Sequence, residues 1–338
     1  MVDPCLSDSV HSPRVAVRTG ARLHFGPLAS GVTSGRQFGG LGVMVEEPGL
    51  EVVLQHSVHD QIIASESWVK RIRSTLERVR NRLPGEQLSG LRIELPKSPH
   101  AHCGFGSGTQ LALAIAAGIC GVTGRSVPPA VELAGWIERG ARSALGIHGF
   151  DEGGFLLEAG KLPNQPVGCL VVRAEMPHDW RWVLVRPRSE EGISGGEEVS
   201  AFGSLPPMSS ALTDTLCGLA VREIMPAIKE ANFELFSQGL WEYGQRVGEY
   251  FAPVQGGVFA HSQMRQLAAA LRERGVVGIA QTSWGPTLAV IQPHTASATE
   301  LVDWIRQDPL GGKCDVSTTG SLNHGVSIRI VDRANHEA

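Results

Sequence analysis

The sequence predicts an α+β protein built as two units, and three observations carry that prediction. The opening is β-rich: Arg14 to Leu23 alternates as a strand, and Val43 to Gln55 reads as two more strands broken by Pro48-Gly49. A strand, glycine loop and helix follow one another at Leu91–Leu95, Gly104–Gly108 and Thr109–Ile119. From Val276 onward the order is strand, strand, helix and closing strands, a small α+β layer. A length of 338 residues accommodates two domains. The boundary is expected near the turn Met176-Pro177-His178-Asp179, giving units at 14–178 and 179–338 behind a disordered tail at 1–13.

The stretch His102 to Ile119, HCGFGSGTQLALAIAAGI, organises the chain. Its glycines let the backbone bend tightly and approach a ligand closely. Its Ala- and Leu-rich half favours a helix, whose first amides have no partner within the helix and point into the loop. Together with the helix dipole they form an anion site, and Ser107 and Thr109 add hydroxyl donors. This reads as a phosphate or diphosphate cradle using His102, Gly104, Gly106, Ser107, Gly108 and Thr109; a plain turn is the competing reading. No Gly-Lys-Ser/Thr ending follows, so it is not a Walker A loop, and G-x-G-x-G is not the dinucleotide fingerprint.

The remaining elements fall in order. Arg22, His24 and Arg36 stand near glycines, where side chains often face a site, although a solvated arginine and a structural histidine are the plainer readings. Ser65 to Leu83 is a charged helix with Trp68, Ile72, Leu76 and Val79 on one face, and its Arg and Lys residues read as a solvated surface. Ala130 to Gly140 is a helix. It leads to a Gly-rich segment that places Asp151 and Glu152 between glycines, where acids hold a cation, act as a base, or simply form a polar turn. Val167–Glu175 and Trp180–Arg186 read as an antiparallel pair. Three helices lie within Ser210–Glu249, and another spans Ser262–Arg274. The turn Gln281-Thr282-Ser283-Trp284-Gly285-Pro286 between apolar strands looks like a binding edge, with Gln281, Ser283 and Trp284 facing it.

A net charge of −4 without a basic run argues against a nucleic-acid partner. No run of 18 apolar residues exists. The opening MVDPCLSDSVHSP lacks the apolar core of a signal peptide, and six scattered cysteines without a C-x-x-C pair suit a reducing cytoplasm. Cys103 borders the loop, where it reads as a small packing residue or as a nucleophile.

The phrases Ala21–Gly26, Phe38–Gly42, Pro99–Leu111, Phe150–Phe155 and Gly278–Pro286 occur in an order that resembles the GHMP kinase superfamily. They resemble more closely its non-kinase branch, β-ribofuranosylaminobenzene 5′-phosphate synthase, over residues 14 to 331. The resemblance implies a ribosomal-protein-S5-like first domain and a ferredoxin-like second one. It implies condensation of phosphoribosyl diphosphate with 4-aminobenzoate or 4-hydroxybenzoate, releasing CO₂ and diphosphate, for tetrahydromethanopterin. Similar enzymes use Mg²⁺ and are often dimers. On this reading Asp151, Arg22 and His24 are catalytic; Asp151, Glu152 and Ser107 hold the metal; Arg22 or Arg36 meets the carboxylate; and Trp284 stacks on the ring. GHMP kinases usually read G-L-G-S-S, with the second Ser helping to hold metal. Phe105 and Gly108-Thr109 depart from that pattern, which weakens the alternative of an ATP-dependent small-molecule kinase.

Overall fold

The computed structural model describes residues 13–32, 35–83, 90–99, 104–188, 203–282 and 285–331. Its architecture is α+β, with two sheets covered by helices. Among the described residues, the first sheet has seven strands. Its spine is β1 (Val15–His24) against β2 (Gly40–His56), both antiparallel and mostly buried. β2 pairs β5 (Phe155–Glu158) through residues 40–43 and β4 (Leu91–Lys97) through residues 51–56. β3 (Gln61–Ile63) lies parallel to β4, and β6 (Leu170–Ala174) lies against β5.

An expected break is absorbed rather than made. Pro48 does not divide β2, because it falls between the two partners of that edge, where a missing N–H breaks no ladder bond. The register slips opposite it at Gly20, where a Cβ would stand 2.1 Å from the Val45 carbonyl oxygen. β4 likewise runs through Pro96, beyond the end of β3.

Helices cover one face of this sheet: α1 (Glu66–Arg82), α2 (Ser107–Val122), α3 (Ala130–Trp136) and α4 (Leu145–Glu152). α2 is buried on nearly every side, which explains why its sequence shows little apolar periodicity. Gly118 lets it settle on β2, since a Cβ there would meet Leu54 Cδ1 at 2.3 Å. Trp68, Ile72, Leu76 and Val79 of α1 complete this core, as their spacing predicts.

The second sheet contains β7 (Arg181–Pro187), β8 (Ile279–Gln281), β9 (Leu288–Gln292) and β10 (Cys314–Gly320), in the spatial order β10-β7-β9-β8. All its pairs are antiparallel. Counted within the unit, that order is 4-1-3-2, the ferredoxin-like arrangement. α8 (Ser262–Glu273) and α9 (Thr295–Gln307) cover one face through Val183, Val185, Leu288 and Val290. The other face, with Trp182, Leu184 and Ala289, joins α5 (Ser210–Leu219), a π turn at Ala220–Ile224, α6 (Met225–Lys229) and α7 (Phe233–Gln255). Phe25 and Phe155 of the first unit stack into the same cluster, where Phe25 lies 5.6 Å from Trp182.

Three expectations change. β6 and β7 do not pair with each other: each belongs to a different sheet, and the chain passes between sheets at residues 175–180. The last strand, β11 (Ser327–Ile330), leaves the second unit and pairs with β1. Asp151 and Glu152 end a helix rather than forming a polar turn. The glycines after them serve a crossing: a Cβ on Gly153 would meet the carbonyl oxygens of His324 and Leu322 at 2.3 and 2.5 Å. Gly154 N–H donates to Leu322 O at 2.6 Å, and Val326 N–H donates to Phe150 O at 2.7 Å.

Candidate active site

The glycine loop is pinned to β1 by the Arg22 N–H, which donates to the Phe105 carbonyl at 3.0 Å. Gly106 is the N-cap of α2 with φ 63°, a conformation that favours glycine. A Cβ there would lie 3.1 Å from Arg22 Nε, so the bare backbone lets the guanidinium lie against the helix start. On the other side of the loop, a Cβ on Gly104 would meet Thr282 Oγ1 at 2.8 Å and the Gly285 carbonyl oxygen at 3.5 Å. The segments Pro99–Leu111 and Gly278–Pro286 are therefore in contact through Gly104, Thr282 and Gly285. Thr282 is fully buried, and its hydroxyl has no hydrogen-bond partner among the described residues. In the first turn of α2, Gln110 receives Thr19 Oγ1 at 2.7 Å and donates to Gly146 O at 2.6 Å, locking helix, strand and α4 together.

Beside this helix start lies a cleft of about 260 Å³, lined among others by Arg22, His24, Thr109, Arg139, Arg142 and Ser143. Its charge is mainly cationic; its lining acid, Glu138, pairs with Arg78 at 3.1 Å. Arg71 of α1, half-buried with its guanidinium 5.3 Å over the Trp68 ring, comes to 3.4 Å from where a Gly108 Cβ would be. Arg139 comes to 3.9 Å from the same point. Burial lowers the proton affinity of both guanidiniums, and for Arg139 the neighbouring Arg78 and Arg71 lower it further.

His24 is buried and neutral. Burial first, then the Arg22 charge, holds its pKa well below the ordinary 6.5. Its Nδ1 accepts the Gly26 N–H at 2.9 Å, which leaves the ring proton on Nε2. Behind Arg22, Glu158 is fully buried on β5. One carboxylate oxygen accepts from Ala144 N at 2.7 Å and Ser143 Oγ at 3.3 Å, and Arg22 Nη1 reaches the same hydroxyl at 3.5 Å. Burial pushes the Glu158 carboxyl up to about 7, against the pull of Ala144 N–H and Arg22.

The structure thus brings together Arg22, His24, Gly106, Gly108 and Thr109, with Ser107 buried at the first position of α2. It places other expected residues elsewhere. Asp151 accepts the Ala130 N–H at 2.8 Å, serving the start of α3, and burial raises its pKa. Neither Asp151 nor Glu152 lines the cleft. Arg36 donates to Gly160 O at 3.1 Å and Gln165 Oε1 at 2.8 Å. It lines a separate, more apolar cavity of about 730 Å³ that meets the cleft at Phe38. Gln281 Oε1 accepts the Ala260 N–H at 2.7 Å and holds residues 256–260 to β8. His102, Cys103, Ser283 and Trp284 lie outside the described residues.

Sequence reading missed Arg71, Arg139, Arg142, Ser143 and Glu158. The charged face of α1 is only partly solvated, because Arg71 borders the apolar stripe one turn after Trp68. Arg139-Gly140-Ala141-Arg142, just past a helix end, was the available signal for the second pair. No set of three or more His, Cys, Asp or Glu side chains suited to a metal occurs among the described residues. Of the expected magnesium ligands, Ser107 lies in the first turn of α2, while Asp151 gives one carboxylate oxygen to the start of α3.

The fold is that of the GHMP kinases. Homoserine kinase from Cytophaga hutchinsonii superposes with a TM-score of 0.65 at 16% identity, covering 96% of this chain and 100% of that one. Mevalonate pyrophosphate decarboxylase from Streptococcus pyogenes gives 0.65 at 11% identity, covering 93% and 98%. No protein-family model matches the chain. Its sequence kinship is with a synthase: β-ribofuranosylphenol 5′-phosphate synthase of Methanothermobacter thermautotrophicus is 27% identical over 300 residues, 80% of this chain and 87% of that protein. The same-named protein of Archaeoglobus fulgidus is 26% identical over 337 residues, 93% and 99%. The chain is accordingly an enzyme similar to these synthases on a GHMP scaffold. Among the described residues, no helix is long and apolar enough to cross a membrane.

Proposed function

We propose that the chain is a decarboxylating C-ribosyltransferase. It joins phosphoribosyl diphosphate to 4-hydroxybenzoate or 4-aminobenzoate and releases CO₂ and diphosphate, in the cytoplasm, toward tetrahydromethanopterin. The observation that supports this most is the cationic cleft at the start of α2, where Arg22, Arg139 and Arg142 gather around Thr109. A polyanionic donor suits that charge, and the kinship with ribofuranosyl phosphate synthases selects the reaction.

The chemistry needs little of a base. The C1–oxygen bond of the ribosyl donor breaks with its electrons leaving on diphosphate, which the loop amides, Thr109 and the arginines stabilise. The para hydroxyl or amino group pushes electrons to the ring carbon bearing the carboxylate, and that carbon bonds to C1. The C–CO₂ bond then breaks, its electron pair restores the aromatic ring, and no carbon-bound proton is removed. A cleft with a neutral His24 and a Glu138 tied to Arg78 suits such a reaction. His24 Nε2–H is a fixed donor, and Arg22 orients the carboxylate through a two-point contact. Magnesium enters this reading as the ion that accompanies the diphosphate substrate.

The test is release of label from carboxyl-labelled 4-hydroxybenzoate or 4-aminobenzoate with the full chain, Mg²⁺ and phosphoribosyl diphosphate. Labelled CO₂ matched by diphosphate supports the reading, and comparing the acids names the acceptor. No release from either acid, or ADP formation from ATP and a small alcohol instead, overturns it.

A further inference from the structure

We propose that Arg71 and Arg139 form a guanidinium clamp over the first turn of α2 that holds the diphosphate end of the donor. The proposal rests on the ribosyltransferase reading and assigns that substrate's leaving group to particular side chains.

The geometry turns on Gly108. Its φ is not in the left-handed region, so its backbone does not require glycine. Nor does packing require it: a Cβ would meet Arg71 Nη1 at 3.4 Å and Arg139 Nη2 at 3.9 Å, both ordinary contacts. Glycine in the first turn of a helix is a poor choice for stability. What it provides here is bare backbone, which lets two guanidiniums stand beside the first amides of the helix. Arg71 comes from α1 and Arg139 from the segment after α3, so independent elements converge on one point.

Arg71 lies over the Trp68 ring and comes to the first turn of α2 beside Gly108. Arg139 follows Glu138, whose φ of 55° is costly for a residue other than glycine. That turn closes α3 through Arg139 N–H to Ala134 O at 2.9 Å and sets Arg139 at the cleft. Bringing Arg71 near Arg139 is unfavourable by itself, since the Arg71 charge, after burial and Arg78, lowers the proton affinity of Arg139. An anion bearing several charges between them relieves the repulsion, and diphosphate fits better than a single phosphate because its two phosphoryl groups can each meet a guanidinium.

The experiment is calorimetric titration of the full chain with inorganic diphosphate, for wild type, Arg71→Gln, Arg139→Gln, Gly108→Ala and the same-charge control Lys70→Gln on the exposed side of α1. Expected is a loss of about tenfold or more in diphosphate affinity for each arginine variant, a shallower salt dependence, and no change for Lys70→Gln. Gly108→Ala is expected to melt at or above the wild-type temperature and still bind diphosphate more weakly, a combination that general destabilisation cannot produce. Arginine variants that fold and bind diphosphate within a factor of about two of wild type overturn the clamp, as does a wild-type chain that binds orthophosphate as well as diphosphate. Labelled-CO₂ release by the wild type separates the two readings. Release with unaltered diphosphate binding in the variants overturns the clamp alone. No release, with binding lost in the variants, overturns the ribosyltransferase reading and supports the clamp.

Discussion

The Glu158 carboxylate accepts the backbone N–H of Ala144 at 2.7 Å from a position with no solvent exposure. This bond links β5 to the start of α4, and through Ser143 it reaches Arg22. Its pH behaviour follows from the raised pKa of about 7 against an ordinary 4.5. Between those values the folded chain holds a proton that the unfolded chain has released, so stability falls as pH rises from about 4.5 to about 7 and is level beyond. Glu158→Gln keeps an acceptor for Ala144 and removes the titration. Thermal melts at pH 5 and pH 8 should show a smaller drop in the variant than in wild type, and an equal drop would refute the assignment.

His24 works in the opposite sense. Its folded pKa is depressed, so the unfolded chain binds the extra proton below about 6.5 and stability falls as pH drops through that value. Proton NMR should show the His24 ring still neutral at pH 5.5. A His24 resonance that titrates near 6.5 would contradict the buried, neutral tautomer.

Gly106→Ala tests the loop itself. The substitution places a side chain at φ 63° and 3.1 Å from Arg22 Nε. Backbone strain costs about 1 kcal/mol, a small part of a domain's stability. The displacement of Arg22 should cost more in turnover, about tenfold or greater in kcat/KM for the aromatic acid. Equal losses in Arg22→Lys and Gly106→Ala would place both effects on the same guanidinium.

Asp151→Ala should act on stability. Losing the Ala130 contact at the start of α3 costs about 1 kcal/mol, with activity per folded molecule and its magnesium dependence unchanged. A selective loss of kcat at an unchanged melting temperature would restore Asp151 to the chemistry.

The strand–loop–helix unit was legible because Gly104–Gly108 and the Ala-rich run after it have few other uses, and the apolar stripe of α1 was legible from Trp68, Ile72, Leu76 and Val79. The pairing of β6 and β7 was misread because adjacent strands usually pair, and nothing local tells Arg181–Pro187 that its partners lie a hundred residues on. Asp151-Glu152-Gly153-Gly154 looked like a site since acids among glycines often are one. Its glycines answer instead to the carbonyls of Leu322 and His324, a contact no short window reveals. In the same way Arg71 and Arg139 belong to separate helical regions, and only the packing of α1 and α3 around α2 brings them both beside Gly108.

The last strand, Ser327–Ile330, lies beside the first, Val15–His24. A ribosome therefore releases β1 with that edge open and supplies the matching strand only after all the other strands of the sheet have been made. Until then the exposed edge has to be sheltered from other chains, and a nascent chain arrested before residue 327 should recruit holding chaperones that a chain carrying β11 ignores.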